Sequence, residues 1–132
     1  MKIFITLKYK IDNQNHNKLT NMIENQCKKH NHIPFTAYRE IDKKGLTSSK
    51  EWMPFVKEHI QTSNLMILVY EKGLQGGLVE EGIAYANGIN IWLIHQKDEK
   101  VSRSVLGCAN KIICYSNLSN LEKELSILLS KI

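Results

Sequence analysis

The segment from residue 64 to residue 88 constrains the fold of this chain more than any other part of it. Its first part, residues 64–70, is an almost uninterrupted apolar run, which is typical of a strand buried on both faces of a sheet. A glycine-rich loop follows, and a helix predicted over 77–87 opens with Glu80 and Glu81 in its first turns. This order places a carboxylate at the carboxyl edge of a parallel sheet, where open α/β folds bind their ligands.

Apolar patterning elsewhere predicts strands and helices in alternation. Further strands are predicted over 2–7, 32–38, 89–94 and 111–115. Helices are predicted over 16–29 and over 118–132. A further helix is predicted to begin after a cap at Ser48 or Ser49 and to bury a face that runs from Trp52 to Ile60. A polar loop is predicted over 39–47, and a short helix or turn over 101–109. We therefore expect an α/β fold, a doubly wound five-stranded parallel sheet in a flavodoxin-like three-layer sandwich, with residues 1–132 as one domain.

Composition narrows the classes of partner. The net charge of +5 comes from scattered lysines without a long basic tract, so nucleic acid is not an expected partner. No apolar run reaches the ~20 residues of a membrane-spanning helix, and no secretion signal is recognisable, so we expect a cytoplasmic protein that does not bind membranes. The unpaired spacing of Cys27, Cys108 and Cys114 is typical of free thiols. Because Cys27, His30 and His32 lack a fourth zinc ligand at the usual spacing, neither a metal nor a cofactor is expected.

Two interpretations of the adjacent glutamates stay open. Either carboxylate gains ~0.3–1 kcal/mol from the dipole at the start of a helix, which explains an acid here without any catalytic role. Helical spacing favours a sheet-facing side made of small and apolar residues, namely Val79, Gly82, Ile83 and Ala86. With that side inside, Glu80 lies beside it towards the strand ends and Glu81 points to solvent, so Glu80 is the candidate site residue.

The residues around this glutamate resemble a known family signature. The pattern G-x-x-x-E-x-G-x-A, formed by Gly76, Glu80, Gly82 and Ala84, resembles that of the nucleoside 2-deoxyribosyltransferase superfamily, which includes the 2'-deoxynucleoside 5'-phosphate N-hydrolases. The segment 102–109, SRSVLGCA, is similar to the S-x-x-hydrophobic-x-G-x-A turn of the N-hydrolase branch. The likeness in element order spans nearly the whole chain.

The resemblance implies cleavage of the N-glycosidic bond of a nucleoside or its 5'-monophosphate, or transfer of its sugar to a second base. A glutamate matching Glu80 would attack the anomeric carbon and form a glycosyl-enzyme. Backbone amides of the glycine loop, at Gly76 and Gly77, hydroxyls near the first strand and a serine matching Ser102 from a neighbouring subunit would hold the 5'-phosphate. A homodimer or higher homo-oligomer without a cofactor is therefore implied.

Three positions depart from the family pattern. Residues 6–9 read TLKY where the family has a glycine-containing turn, Leu74 or Gln75 replaces a serine, and residues 70–71 read YE where many members have an aspartate. We expect Lys8 to replace the usual phosphate contacts and Tyr9 to stack on a base, although simple exposure in a loop also explains both residues.

Two other functions stay open. A TIR-like domain, which signals through assembly or cleaves nicotinamide from NAD, shares the strand order and also has a glutamate in a helix near its cleft. Residues 3–6, IFIT, resemble that class loosely. The missing turn glycine and aspartate are also compatible with a non-catalytic, nucleotide-binding sensor.

Overall fold

A computed structural model describes residues 1–10 and 12–132. Its strands are β1 (Lys2–Thr6), β2 (Ile33–Thr36), β3 (Leu65–Tyr70), β4 (Asn90–Gln96) and β5 (Lys111–Tyr115). Its helices are α1 (Gln14–Lys29), α2 (Ala37–Lys44), α3 (Ser49–Gln61), α4 (Gly76–Ala86), α5 (Arg103–Gly107) and α6 (Leu118–Ser130). Within the described residues, no helix combines the length and the apolar character that crossing a bilayer requires.

The five strands form one sheet in the order β2-β1-β3-β4-β5, and every neighbouring pair is parallel. This confirms the predicted doubly wound parallel sheet. From β1 the chain moves to β2 on one side, and from β3 it moves to β4 and β5 on the other. The topological switch point therefore lies between β1 and β3, where Thr6 is in register with Leu68.

Alternate residues of the strands enter two separate cores. Ile5 and its neighbours pack against α1 and α6, where Ile23 and Leu125 are fully buried. Phe4 and its neighbours pack on the opposite side, against α2, α3, α4 and α5, where Val56 is buried. We call these sides the α1–α6 face and the α2–α5 face. Each fully buried side chain of this size contributes about 1.5–3 kcal/mol, which explains why the strands are apolar on both sides.

Polar side chains and glycines set the helix ends. The side chains of Asn13, Ser48 and Asn117 each accept a hydrogen bond from the backbone amide three residues later. Gly88 follows α4 with a φ of 69°, and the next amide donates a 3.0 Å hydrogen bond to the carbonyl of Ala84, as in a Schellman motif. The cap predicted at Ser48 or Ser49 is therefore found at Ser48.

The segment after β2 differs from the prediction. The strand ends at Thr36 instead of residue 38, and much of the predicted polar loop over 39–47 belongs to α2. This helix buries only Ala37, with Ile41 partly buried against the same core, and its other residues are mostly polar. One apolar turn is too short to show a helical period in the sequence. The helix ends at Gly45, whose φ of 71° is left-handed.

Candidate functional site

A cavity of about 490 Å³ lies at the topological switch point, on the α2–α5 face. Its walls are formed by the end of β1 and the loop after it, by α2 and α3, and by the glycine loop that leads into α4. Thr6 and Glu80 are its two buried polar lining residues, and we call it the Glu80 cavity. Its volume falls within the roughly 300–1,000 Å³ that is usual for small-molecule sites.

Glu80 is buried in this cavity and is held by one short hydrogen bond. The residue is only 8% exposed, and its Oε1 accepts a hydrogen bond of 2.6 Å from the Thr6 hydroxyl. Burial raises the pKa of Glu80 to about 7, while the hydrogen bond from Thr6 acts in the opposite direction. The carboxylate and the carboxylic acid are therefore both populated near neutral pH, as is common for groups that take part in catalysis.

Gly77 allows α4 to approach the end of β1 closely enough for this contact. A Cβ atom at position 77 would lie 3.0 Å from the Thr6 hydroxyl oxygen and 2.9 Å from Cδ1 of Leu74. By contrast, a Cβ atom at Gly76 would meet no heavy atom within 4 Å. The two glycines therefore differ: a Cβ atom at position 77 would crowd the side chains of Thr6 and Leu74, and Gly76 leaves open space at the cavity.

The first turn of α4 presents backbone donors to the cavity. The Gln75 carbonyl accepts hydrogen bonds from the amides of Leu78 and Val79, at 3.0 and 3.4 Å. The amides of Gly76 and Gly77 come earlier, among the N-terminal N–H groups that a helix leaves without intrahelical partners. Free amides at the positive end of a helix dipole form a favourable site for an anion.

The structure brings together most of the predicted site residues. Lys8, Tyr9, Gly76, Gly77 and Glu80 all line the Glu80 cavity. Their positions come from two separate segments, the loop after β1 and the first two turns of α4. This convergence follows from the topology, because the carboxyl ends of parallel strands meet at one edge of the sheet.

The two loop residues make weak contacts within the chain. Lys8 Nζ donates a long hydrogen bond of 3.4 Å to the Lys72 carbonyl. The ring of Tyr9 is about half exposed and meets the ring of Tyr38 edge-on, with 5.5 Å between centroids. Both side chains therefore keep polar or aromatic surface available at the rim of the cavity.

Ser102 lies elsewhere in the same chain. It is the N-cap residue of α5, it is exposed, and it is not among the residues that line the Glu80 cavity. Its predicted contact involves a neighbouring subunit, so its position in one chain does not test that role.

The orientation of α4 differs from the prediction at Glu81. Glu81 is 4% exposed and therefore buried, whereas Val79, predicted to face the sheet, is 56% exposed. The buried side carries Gly77, Glu80, Glu81 and Ala84, at the i, i+3, i+4 and i+7 spacing of a helix face. Hydrophobic periodicity could not identify this buried side of α4, because the residues on the outward side of the helix are also small or apolar.

The buried Glu81 carboxyl has an unusual environment. Within the described residues its Oε2 has no hydrogen-bond partner, and burial raises the pKa of Glu81 to about 7. Burial and, to a smaller extent, the Glu81 carboxylate raise the pKa of the Cys108 thiol. Glu81 does not line the Glu80 cavity.

One wall of the cavity was not predicted as such from the sequence, although Asp42 was considered for the ligand-binding edge. Tyr38 and Asp42 of α2, Leu46 after it and Trp52 of α3 line this wall. Trp52 is predicted from sequence as a core residue, and it does pack partly against the α2–α5 core. The helical signal that would have placed Tyr38 and Asp42 here was absent because α2 is short and polar.

The described residues contain no group of three metal-binding side chains close enough to hold an ion. Cys27, considered above with two histidines, is buried in the α1–α6 core. His30 hydrogen-bonds to Ser126, and His32 to the Leu129 carbonyl.

Comparisons with known proteins place the fold among solved structures. A scan of protein-family models finds no match, and neither does a search of curated proteins. The CMP N-glycosidase BcmB of Clostridium botulinum superposes with a TM-score of 0.76 at 16% identity, over 96% of this chain and 99% of that one. The 2-deoxyribosyltransferase of Bacillus psychrosaccharolyticus gives 0.73 at 18% identity, over 92% and 90% of the two chains.

A third similar structure is a conserved protein from Enterococcus faecalis V583, with a TM-score of 0.72 at 16% identity over 96% of this chain and 98% of that chain. Identities at this level establish the fold and no more. The chain therefore has the flavodoxin-like α/β fold of solved proteins that include an N-glycosidase and a deoxyribosyltransferase, as the sequence resemblance implies.

Proposed function

We propose that residues 1–132 act as one nucleoside 2-deoxyribosyltransferase-like domain that cleaves the N-glycosidic bond of a nucleoside or nucleoside 5'-monophosphate, or transfers its sugar. The observation that carries this proposal is Glu80, a buried carboxyl at the switch point, hydrogen-bonded by Thr6 in a cavity of about 490 Å³. The G-x-x-x-E-x-G-x-A pattern supports it. The structural likeness to an N-glycosidase and a deoxyribosyltransferase supports it independently.

In the proposed reaction, a Glu80 carboxylate oxygen attacks the anomeric carbon of the sugar. A bond forms between that oxygen and the carbon, and the bond from the carbon to the base nitrogen breaks, its electron pair leaving with the base, which gains a proton. Water then attacks the same carbon, the ester to Glu80 breaks, and a proton is lost from the attacking water. A second base in place of water gives sugar transfer.

The hydrogen bond from Thr6 serves this reaction in two ways. It fixes one carboxylate oxygen, so the other is free to face the sugar. It also stabilises the charged form of Glu80 against the burial that raises its pKa to about 7. A nucleophile that is partly ionised at neutral pH attacks as the anion, and it is restored as the anion when the ester breaks.

The lining of the cavity offers groups suited to both ends of a nucleotide. The free amides of Gly76 and Gly77, with Lys8 nearby, are suited to a 5'-phosphate. Tyr9 and Trp52 offer aromatic surface for a base. Asp42 also lines the cavity, and as a carboxyl it is a candidate for the acid that protonates the departing base.

We also propose a homodimer or higher homo-oligomer in which Ser102 of a second copy reaches the phosphate end. The outward side of α4 supports a second copy as its occupant, because Val79 and Tyr85 are large, apolar or aromatic, and exposed there. Analytical ultracentrifugation of the wild type and of Tyr85→Asp tests this proposal. A monomeric wild type would contradict it, as would an oligomer that Tyr85→Asp leaves intact.

The function is tested by incubating the protein with ribo- and deoxyribonucleosides, their 5'-monophosphates and NAD, and separating the free bases by chromatography. We expect a base to be released from a nucleoside or its monophosphate, and Glu80→Gln to reduce the rate by at least about 10³-fold. Glu81→Gln is the matched control, because it removes an equally buried carboxyl on the same helix outside the cavity, and we expect a rate within about threefold of the wild type.

Three results would contradict the proposal. One is the absence of turnover with every nucleoside and nucleotide tested, despite tight binding of one of them. Another is nicotinamide release from NAD as the only reaction. The third is equal activity in Glu80→Gln and Glu81→Gln.

A further inference from the structure

The first turn of α2 sends two neighbouring side chains into opposite cores of the molecule. Ala37 is buried in the core of the α2–α5 face, whereas Tyr38 is half-buried and packs against the core of the α1–α6 face. Tyr38 also lines the Glu80 cavity. Its side chain therefore links the proposed site to the core on the other side of the sheet.

The hydroxyl end of Tyr38 is held by α1. Its hydroxyl donates a hydrogen bond of 3.2 Å to Oγ1 of Thr20, and the Thr20 hydroxyl in turn donates one of 2.9 Å to the carbonyl of His16, one turn earlier in the helix. Consecutive hydrogen bonds of this kind polarise and strengthen one another. Thr20 is fully buried and does not line the Glu80 cavity. A residue outside the site therefore fixes one that belongs to it.

Two further rings pack against Tyr38. The His16 ring stacks on it, with 6.0 Å between centroids and 30° between the ring planes. The Tyr9 ring meets it edge-on at 68°, in the T-shaped arrangement that aromatic pairs favour. Tyr9 lies in the loop after β1 and is about half exposed at the rim of the cavity. The anchored Tyr38 ring therefore gives this loop residue a fixed aromatic neighbour.

We propose that Thr20 and Tyr38 are positioning residues for the Glu80 cavity. Thr20 fixes Tyr38 through the hydrogen bond between their hydroxyls, and Tyr38 holds the Tyr9 ring in the orientation that stacks on a base. This inference rests on the proposed function, in which Tyr9 contacts the base of a nucleotide. An aromatic ring that is already oriented loses less conformational freedom when the ligand binds. The expected effect is therefore on nucleotide affinity.

The first experiment needs no nucleotide and uses aromatic ¹H–¹³C NMR of the free full chain. Thr20→Val keeps the shape of the side chain but removes the hydroxyl, and we expect it to move the Tyr9 ring signals, which are assigned by their absence in Tyr9→Leu. Thr20→Ser keeps the hydroxyl and should leave these signals at their wild-type positions. The result is independent of whether the proposed function is correct.

Thr62→Val is the matched control for Thr20→Val. The Thr62 hydroxyl also donates to the carbonyl four residues earlier, at 3.0 Å, but its partner among the side chains is Lys2 at the start of β1. The start of β1 lies at the opposite edge of the sheet from the Glu80 cavity. We therefore expect Thr62→Val to change neither the Tyr9 signals nor nucleotide affinity.

The second experiment measures binding by calorimetry in a Glu80→Gln background, which prevents turnover. The probes are the ribo- and deoxyribonucleoside 5'-monophosphates of the common bases. We expect Thr20→Val and Tyr38→Phe each to weaken the tightest-binding nucleotide by about three- to tenfold. The double variant should be no weaker than either single variant, because both changes remove the same hydrogen bond. In a Tyr9→Leu background, Thr20→Val should have no further effect.

Four outcomes would overturn the inference alone. They are Tyr9 ring signals that Thr20→Val leaves in place, nucleotide affinity that Thr20→Val leaves unchanged, effects of Thr20→Val and Tyr38→Phe that multiply in the double variant, and an equal loss of affinity in Thr62→Val. The absence of nucleotide binding by both the wild type and Glu80→Gln would contradict the proposed function and this inference together.

Discussion

The hydroxyl of Thr6 donates a 2.6 Å hydrogen bond to Oε1 of Glu80, between residues that are 74 positions apart in the sequence. Thr6 is the last residue of β1, and Glu80 lies in the second turn of α4. The contact therefore ties the carboxyl to the rigid end of a central strand. Such support from a regular element holds a reactive group more precisely than a loop does.

Thr6→Val is expected to change the pH dependence of the reaction. Valine keeps the shape but removes the donor, so the pKa of Glu80 should rise above its value of about 7. Loss of a hydrogen bond to a charged group, about 1.5–3 kcal/mol, corresponds to a rise of roughly one to two units. Because the carboxylate is the proposed nucleophile, kcat/KM should increase with pH through the pKa of Glu80, and this increase should occur at higher pH in the variant.

The profile of kcat/KM against pH from 5 to 9 measures this shift. Thr6→Ser retains the hydroxyl and should keep the wild-type profile. A uniform loss of activity at every pH in Thr6→Val, without displacement of the profile, would show that Thr6 does not act on the ionisation of Glu80.

Gly77→Ala and Gly76→Ala should have opposite effects on stability. The added methyl at position 77 meets Thr6 and Leu74 at about 3 Å or less, so we expect a loss of about 1–3 kcal/mol from overpacking. The methyl at position 76 meets nothing within 4 Å, and Ala there should stabilise the protein by about 0.4–1 kcal/mol. Urea unfolding of both variants measures these changes, and equal effects would contradict the close approach at Gly77.

The sequence predicted the sheet well because its strands are buried on both faces. The apolar run over 64–70 needs no tertiary information to be recognised, and its position before a glycine loop located Glu80. The hydrogen bond from Thr6 to Glu80 could not be predicted from the sequence, because it joins two elements that are far apart in the chain. The wall that contains Tyr38 was missed because α2 has only one apolar turn.

The buried position of Glu81 was hidden for a different reason. Residues on the outward side of α4, such as Val79 and Gly82, are as apolar or as small as those on the inward side. Hydrophobic periodicity therefore gave the wrong face. Only packing against the α2–α5 core, near Cys108, determines which side is buried.

Glu81 should make stability depend on pH. Burial raises the pKa of Glu81 from its ordinary 4.5 to about 7 in the folded protein. The stability that a raised pKa contributes is fully present at pH values below the pKa of the unfolded state. For Glu81 this contribution should be lost as the pH rises from about 4.5 to about 7. Glu81→Gln removes this loss, and its urea midpoint should exceed that of the wild type by more at pH 8 than at pH 5.

Glu122→Gln, at an exposed position of α6, is the control for this effect and should show no such difference between the two pH values. If the difference in midpoint between Glu81→Gln and the wild type were the same at pH 5 and pH 8, the buried carboxyl would not be the cause.

The central claim is that Glu80 becomes covalently attached to the sugar, and mass spectrometry tests it most directly. The protein is mixed with the nucleoside or nucleotide that proves to be its substrate, quenched in acid within the first turnover, digested and mapped. We predict a sugar adduct on the peptide that contains Glu80, absent in Glu80→Gln and present in Glu81→Gln. Turnover without an adduct at Glu80, or an adduct on a different residue, would contradict the account.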